Sequence, residues 1–93
     1  MTERPDDSAI PAFAPGIKFR FDQVRNAWVV LAPERAFMPD EQAAEILKLV
    51  DGQRSLGTII DDLARRFNAP RVVIAADVAN MLHDLAEKGA IRL

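Results

Sequence analysis

Apolar and polar residues alternate from Gly16 onward. Ile17, Phe19 and Phe21 fall on one side and Lys18 and Arg20 on the other, the two-residue period of a half-buried strand. The polar stretch Asp22 to Asn26 predicts a turn. Trp28 to Ala32, apolar throughout, predicts a second strand covered on both faces, the middle one of three. Pro33 has the fixed φ that suits the second position of a type I turn, so Ala32-Pro33-Glu34-Arg35 should reverse the chain. Arg35 to Met38 then forms a short third strand. Because the pattern turns helical directly afterwards, that strand should lie at an edge of the sheet.

Asp40 is a good N-cap, and Ala43, Ile46, Leu47 and Val50 follow at the i, i+3, i+4, i+7 spacing of one helical face, with Gly52 as the stop. A second stripe comprises Leu56, Ile60, Leu63 and Phe67, with Asp61, Asp62, Arg65 and Arg66 mostly opposite. The "FNAP" stretch breaks it, and Pro70 suits the first turn of a third helix, whose apolar face is Ile74, Val78, Met81 and Leu85. Gly89 ends that helix, and the terminal "AIRL" either adds a small strand or packs down. Residues 1–15, interrupted by Pro5, Pro11 and Pro15, read as a mobile tail ahead of one domain over residues 16–93. The expected fold is α+β and winged-helix-like. A three-stranded antiparallel sheet over about 16–38 precedes three helices over about 40–50, 56–67 and 70–88.

Composition narrows the chemistry. A 93-residue chain, 49% hydrophobic and 28% charged, makes one small domain with little interior to spare for a deep active site. It has no cysteine and a single histidine, His83, so no disulfide, thiolate nucleophile or Cys-rich metal site is expected, and no metal or cofactor. Asp61 and Asp62 are adjacent on a helix and diverge by about 100°, so they do not act on one substrate. His83, with Asp84 and Glu87 nearby, fits a solvated helix face. "DGQRSLG" lacks the spacing and the Lys-Ser/Thr ending of a phosphate loop. No catalytic constellation emerges. The N-terminal stretch lacks a basic start and an apolar run, and no segment approaches about 20 apolar residues, so a cytoplasmic protein without membrane contact is expected.

Two binding readings remain. The rhythm of residues 58–93 is that of a winged-helix DNA reader, whose third helix offers donors to bases and phosphates. Here that helix sets Arg71 and Lys88 against Asp77, Asp84 and Glu87, and the whole chain has a net charge of -2, so no nucleic-acid partner is expected. The other reading uses the outer strand. An edge presents unpaired backbone groups that can take on an extended peptide, with helix three as the second wall of a groove. An open edge can also pair with its own copy, so a monomer that dimerises when concentrated fits the same reading.

"KFRFDQVRNAWVVLAPER", followed by "DGQRSLGTIIDDLARRF" and "IAADVANMLHDLAEKGAI", resembles the PqqD family of pyrroloquinoline quinone (PQQ) biosynthesis over about residues 10 to 93. The Arg-Phe-Asp-x-Val-Arg-x-x-Trp and Leu-Ala-Pro-Glu-Arg elements are specific together. The resemblance implies the fold of a RiPP recognition element and a peptide chaperone, which binds the ribosomal precursor peptide PqqA and presents it to the radical S-adenosylmethionine enzyme PqqE. It implies that Arg35, Ala36, Phe37 and Met38 supply the strand side of the peptide site. The helix side comes from among Ile74, Asp77, Val78, Met81 and Leu82, which cannot all face one groove; which shoulder does so is left open. Arg20, Asp22, Arg25, Trp28, Glu34 and Arg35 match the family's motif. Of these, Arg20, Arg25 and Glu34 are candidates for the surface that meets the enzyme, although Asp22 and Arg25 equally fit a role in fixing the first turn and Trp28 a place in the core. Gly57 departs from the usual pattern, at the start of the second helix.

Overall fold

The computed structural model describes residues 7–33 and 35–93. Three strands, β2 (Lys18–Asp22), β3 (Ala27–Ala32) and β4 (Arg35–Phe37), form an antiparallel meander in the order β2-β3-β4. The short β1 (Ala12–Phe13) pairs instead with the terminal β5 (Ile91–Arg92) as a separate two-stranded ladder. Between the ladders run α1 (Glu41–Leu47), α2 (Leu56–Arg66) and α3 (Arg71–Glu87). The α+β architecture of a three-stranded sheet followed by three helices is the one the sequence predicts.

Local chemistry sets each boundary. In the β2–β3 connection the Asp22 carboxylate accepts hydrogen bonds from the backbone N–H groups of Val24 (2.9 Å) and Arg25 (3.3 Å), and Asn26 takes a left-handed conformation at φ 53°. Asp22 and Arg25 therefore fix this turn. The Asp40 carboxylate caps α1 by accepting from Ala43 N–H at 2.8 Å, and the Ser55 hydroxyl caps α2 by accepting from Thr58 N–H at 3.2 Å. Helix α1 ends earlier than position 50, because Leu49 and Val50 N–H bond to the carbonyls of Ile46 and Leu47, three residues back. Pro70 stands at the cap of α3 rather than inside its first turn.

The core lies between the sheet and the helices. Leu47, Leu56, Ile59, Ile60, Leu63, Val78, Leu82 and Val30 are its most enclosed side chains. A fully buried leucine or isoleucine contributes roughly 1.5–3 kcal/mol. Trp28 sits beside this core rather than in it. Half-buried, it stacks on Phe19 at 4.7 Å between centroids, meets Phe21 edge-on at 5.7 Å and carries Lys48 over its ring at 5.1 Å.

The opening segment differs from expectation. Residues 1–6 of the anticipated tail lie outside the described residues, but from Asp7 on the chain is bonded to the domain. Leu56 N–H donates to the Ala9 carbonyl at 2.7 Å, Gly57 N–H to Asp7 at 2.9 Å and Ala14 N–H to Ala90 at 2.9 Å, and Pro11 is buried. Prolines interrupt local hydrogen bonding, yet the remaining donors and acceptors find distant partners. This also accounts for Gly57: a Cβ there would stand 3.2 Å from the Cβ of Asp7 and 3.3 Å from its carbonyl oxygen. Its lack of a side chain lets the segment approach the helix.

Candidate functional site

Strand β4 is an edge of the meander. Its register places Arg35 opposite Ala32, Ala36 opposite Leu31 and Phe37 opposite Val30. Ala32 and Arg35 close a two-residue loop, so they exchange both hydrogen bonds, and in an antiparallel ladder the next bonded pair is Val30 with Phe37. The N–H and C=O of Ala36 therefore point away from β3, toward the open side.

Beside that edge lies a furrow of about 390 Å³. Phe37 and Met38 form its strand side, Val30 and Leu47 its floor, and Met81, Asp84, Leu85 and Lys88 its helix side. It continues, through the shared Ala43 and Met81, into a hollow of about 310 Å³ bounded by Asp40, Gln42, Ile46, Asp77 and Asn80. The furrow is apolar at the bottom and charged along the lip, as an extended peptide with alternating side chains requires.

Helix α3 presents two sets of residues. Ile74, Val78, Leu82 and Leu85 are buried, with Val78 1% and Leu82 0% exposed. Asp77, Met81, Asp84 and Lys88, recurring every three or four positions, border the furrow and its continuation. Of the helix residues named from the sequence, Asp77 and Met81 thus stand on the furrow. Val78 and Leu82 face the core, and Ile74 borders a further hollow with Phe67, Ala69 and Val73, which adjoins the continuation of the furrow through Gln42 and Asp77. On the strand side, Arg35 and Ala36 are exposed, Phe37 is half-buried and Met38 is 58% exposed. Asp84, Leu85 and Lys88 were not named from the sequence; continuing the Asp77–Met81 spacing by two more turns would have reached them.

The cations on the lip have defined neighbours. Lys88 Nζ lies 3.0 Å from an Asp84 carboxylate oxygen and 5.6 Å from the centroid of the Phe37 ring, and the Arg35 guanidinium lies 5.5 Å from the same centroid. Arg20 and Arg25 are exposed. Arg20 lies on the face of β2 opposite Phe19 and Phe21, while Arg25 pairs with Asp22 at 3.8 Å and its guanidinium reaches Met38 Sδ at 3.9 Å. Glu34 lies outside the described residues. His83 is exposed and lies 3.4 Å from a Glu87 carboxylate oxygen. Among the described residues no group of three or more His, Cys, Asp or Glu side chains could hold a metal ion, and no helix is long and apolar enough to cross a membrane.

Comparison with known proteins converges on one family. The family model of Coenzyme PQQ synthesis protein D (PqqD) matches residues 27–91. The chain is 51% identical over 83 residues to a PqqA binding protein of Rhodopseudomonas palustris (strain BisB5), covering 89% of this chain and 81% of that one. It is 46% identical to a PqqA binding protein of Gluconobacter oxydans (strain 621H), covering 98% of each. In structure it resembles the PqqD truncation of Methylobacterium extorquens PqqCD, solved by solution NMR, with a TM-score of 0.80, 39% identity and coverage of 96% of this chain and 95% of that one. That protein is described as a functional, stand-alone recognition element for ribosomally synthesised and post-translationally modified peptides. With most of its length matched by the family model and by relatives of this similarity, the chain belongs to the PqqD family of coenzyme PQQ synthesis proteins.

Proposed function

We propose that this protein binds the precursor peptide PqqA in the furrow between β4 and α3 and presents it to the radical S-adenosylmethionine enzyme PqqE. It acts as a binding protein, in the cytoplasm, as a monomer whose open edge is kept for the peptide. The observation that carries the reading is the outward-facing backbone of Ala36 beside a furrow floored by Val30 and Leu47 and walled by Met81 and Leu85. Two backbone hydrogen bonds at Ala36 contribute only about 1–3 kcal/mol net, so apolar side chains entering the furrow must supply much of the affinity. The relatives named as PqqA binding proteins support the choice of ligand. The similar Methylobacterium domain, a part of PqqCD, supports action close to an enzyme of the same synthesis. The exposed Arg20 and Arg25 are the proposed enzyme-facing residues, Arg20 on the far face of β2 and Arg25 at the β2–β3 turn.

A DNA reader finds no support in the arrangement of charge. Arg71 is held by Asp61 and Asp7, Arg65 by Asp62, Arg66 by Glu45 and Lys88 by Asp84, so the cations of α2 and α3 are already paired with carboxylates.

The test is a backbone amide titration with synthetic PqqA. Shifts concentrated at Ala36, Phe37 and along Met81 to Lys88 are expected, and added PqqE should then perturb Arg20 and Arg25 in the peptide-bound protein. Peptide binding that leaves the β4 and α3 amides unmoved would overturn the furrow reading. No interaction with PqqE, with or without peptide, would overturn the presentation step.

A further inference from the structure

We propose that the furrow reads its occupant by an order of charge. It takes a segment with a basic side chain followed, about five residues later, by an acidic one, lying antiparallel to β4. The inference rests on the reading that the peptide lies between β4 and α3.

Two cations converge on one ring at one end of the furrow. The guanidinium of Arg35 and the ammonium of Lys88 lie 5.5 Å and 5.6 Å from the centroid of Phe37. Asp84 compensates Lys88, while among the described residues no carboxylate is paired with Arg35. Among the described residues that end therefore carries surplus positive charge over an aromatic platform. An incoming carboxylate there would meet two cations whose positions the Phe37 ring already restrains.

The other end is negative. Asp77 and Asp40 border the adjoining hollow, which has no lysine or arginine among its lining residues. Asp77 meets the neutral Gln42 amide at 3.4 Å, and Asp40 is engaged with the N–H of Ala43. From Asp77 to Lys88 the helix advances eleven residues, or about 16 Å, the length of about five strand residues. Strand β4 runs from the positive end, at Arg35, toward the negative one. A partner paired antiparallel to it enters at Asp77 and leaves at Arg35, so its basic side chain comes first. Between the two charges its apolar side chains fall over Leu47, Met81 and Leu85. Exposed ion pairs are individually weak, so this order fixes register and direction more than affinity.

The probe is synthetic PqqA, with each acidic residue changed in turn to its amide and each basic residue changed in turn to Met. These peptides are titrated into the full chain, into the double variant Arg35→Met/Lys88→Met and into Asp77→Asn. All these substitutions are at exposed positions, and an amide spectrum checks that each variant is folded. One acidic position should lose about fivefold in affinity on the parent and nothing further on the double variant. One basic position, N-terminal to it, should show the same coupling to Asp77→Asn. Absence of any coupled position, or an acidic position preceding the basic one, overturns the charge order. The same spectra separate the two levels. Shifts at Ala36 and Met81 without coupling overturn only this inference, whereas binding without those shifts overturns the furrow reading beneath it.

Discussion

Phe37 of β4 is paired with Val30 of β3, and this leaves the backbone of the intervening Ala36 facing outward. Proline at the two positions should therefore have opposite effects. Ala36→Pro removes an N–H that no strand among the described residues uses, so the protein should remain folded and lose PqqA. Phe37→Pro removes an N–H bonded to β3 and should lower stability by about 3 kcal/mol. Amide spectra and peptide titrations of both variants check this. A folded Ala36→Pro variant that binds like the parent would show that the peptide does not extend the sheet.

The two shoulders of α3 give a second contrast. Leu82 is fully buried, and Leu82→Asp places an unpaired carboxylate in the core, costing several kcal/mol, of order 3–5. Met81 borders the furrow and is only partly buried, so Met81→Asp should keep the fold and weaken PqqA binding about tenfold or more. Urea unfolding and peptide titration separate the two effects. Equal loss of stability in both variants would mean that Met81 belongs to the core.

Period and punctuation made the meander and the helices legible. Alternation from Ile17 to Phe21, the Pro33 turn and the cap at Asp40 are all local, and local signals survive into the fold. What escaped depends on contacts distant in sequence. Of the two readings of the terminal "AIRL" the fold takes the small strand, but β1 carries no period of its own; Ala12 and Phe13 become a strand only because Arg92 and Ile91 lie beside them. The C-terminal part of the furrow side of α3 escaped for a related reason. The apolar stripe read from the sequence, Ile74, Val78, Met81 and Leu85, takes in Met81, which borders the furrow, and passes over the buried Leu82, whereas Asp84 and Lys88 acquire a role only from where β4 lands. Phe37 explains that placement: its ring is half-buried against the core and meets Lys88 at its outer side.

The opening segment should contribute to stability. Phe13 stacks on Phe19 at 5.8 Å, Pro11 is buried, Asp7 pairs with Arg71, and three backbone bonds tie the segment to α2 and to Ala90. Deleting residues 1–15 should cost about 2–4 kcal/mol and lower Tm by at least about 8 °C. Gly57→Ala should fall short of the roughly 1 kcal/mol that alanine ordinarily gains over glycine in a helix, since Asp7 must move to admit the methyl group. Thermal unfolding of the two variants decides it; a truncated protein melting within a degree or so of the parent would show that the segment is only laid on the surface.

Acid should weaken the α1–α2 junction at a definable pH. The Glu45 carboxylate accepts hydrogen bonds from Lys48 and, across the junction, from Arg66 at 2.7 Å, and these two partners hold its pKa below the ordinary value of 4.5. Asp51 is likewise held below its ordinary 3.8, first by the backbone N–H of Arg54 and then by that of Gln53. A carboxylate whose pKa is lower in the folded state binds fewer protons there than in the unfolded chain. Its contribution is fully present above the unfolded value and is lost as pH falls through the folded one. Glu45→Gln should therefore be less stable than the parent at about pH 6, and the difference should shrink below 4.5 as the parent's own carboxylate is protonated. Both residues are partly exposed, so the effect is small and should fade further in high salt. Urea unfolding of parent and variant at a series of pH values provides the measurement. A gap that stays constant from neutral pH to about pH 3 would mean that Glu45 stabilises the junction by packing, with no contribution from its charge.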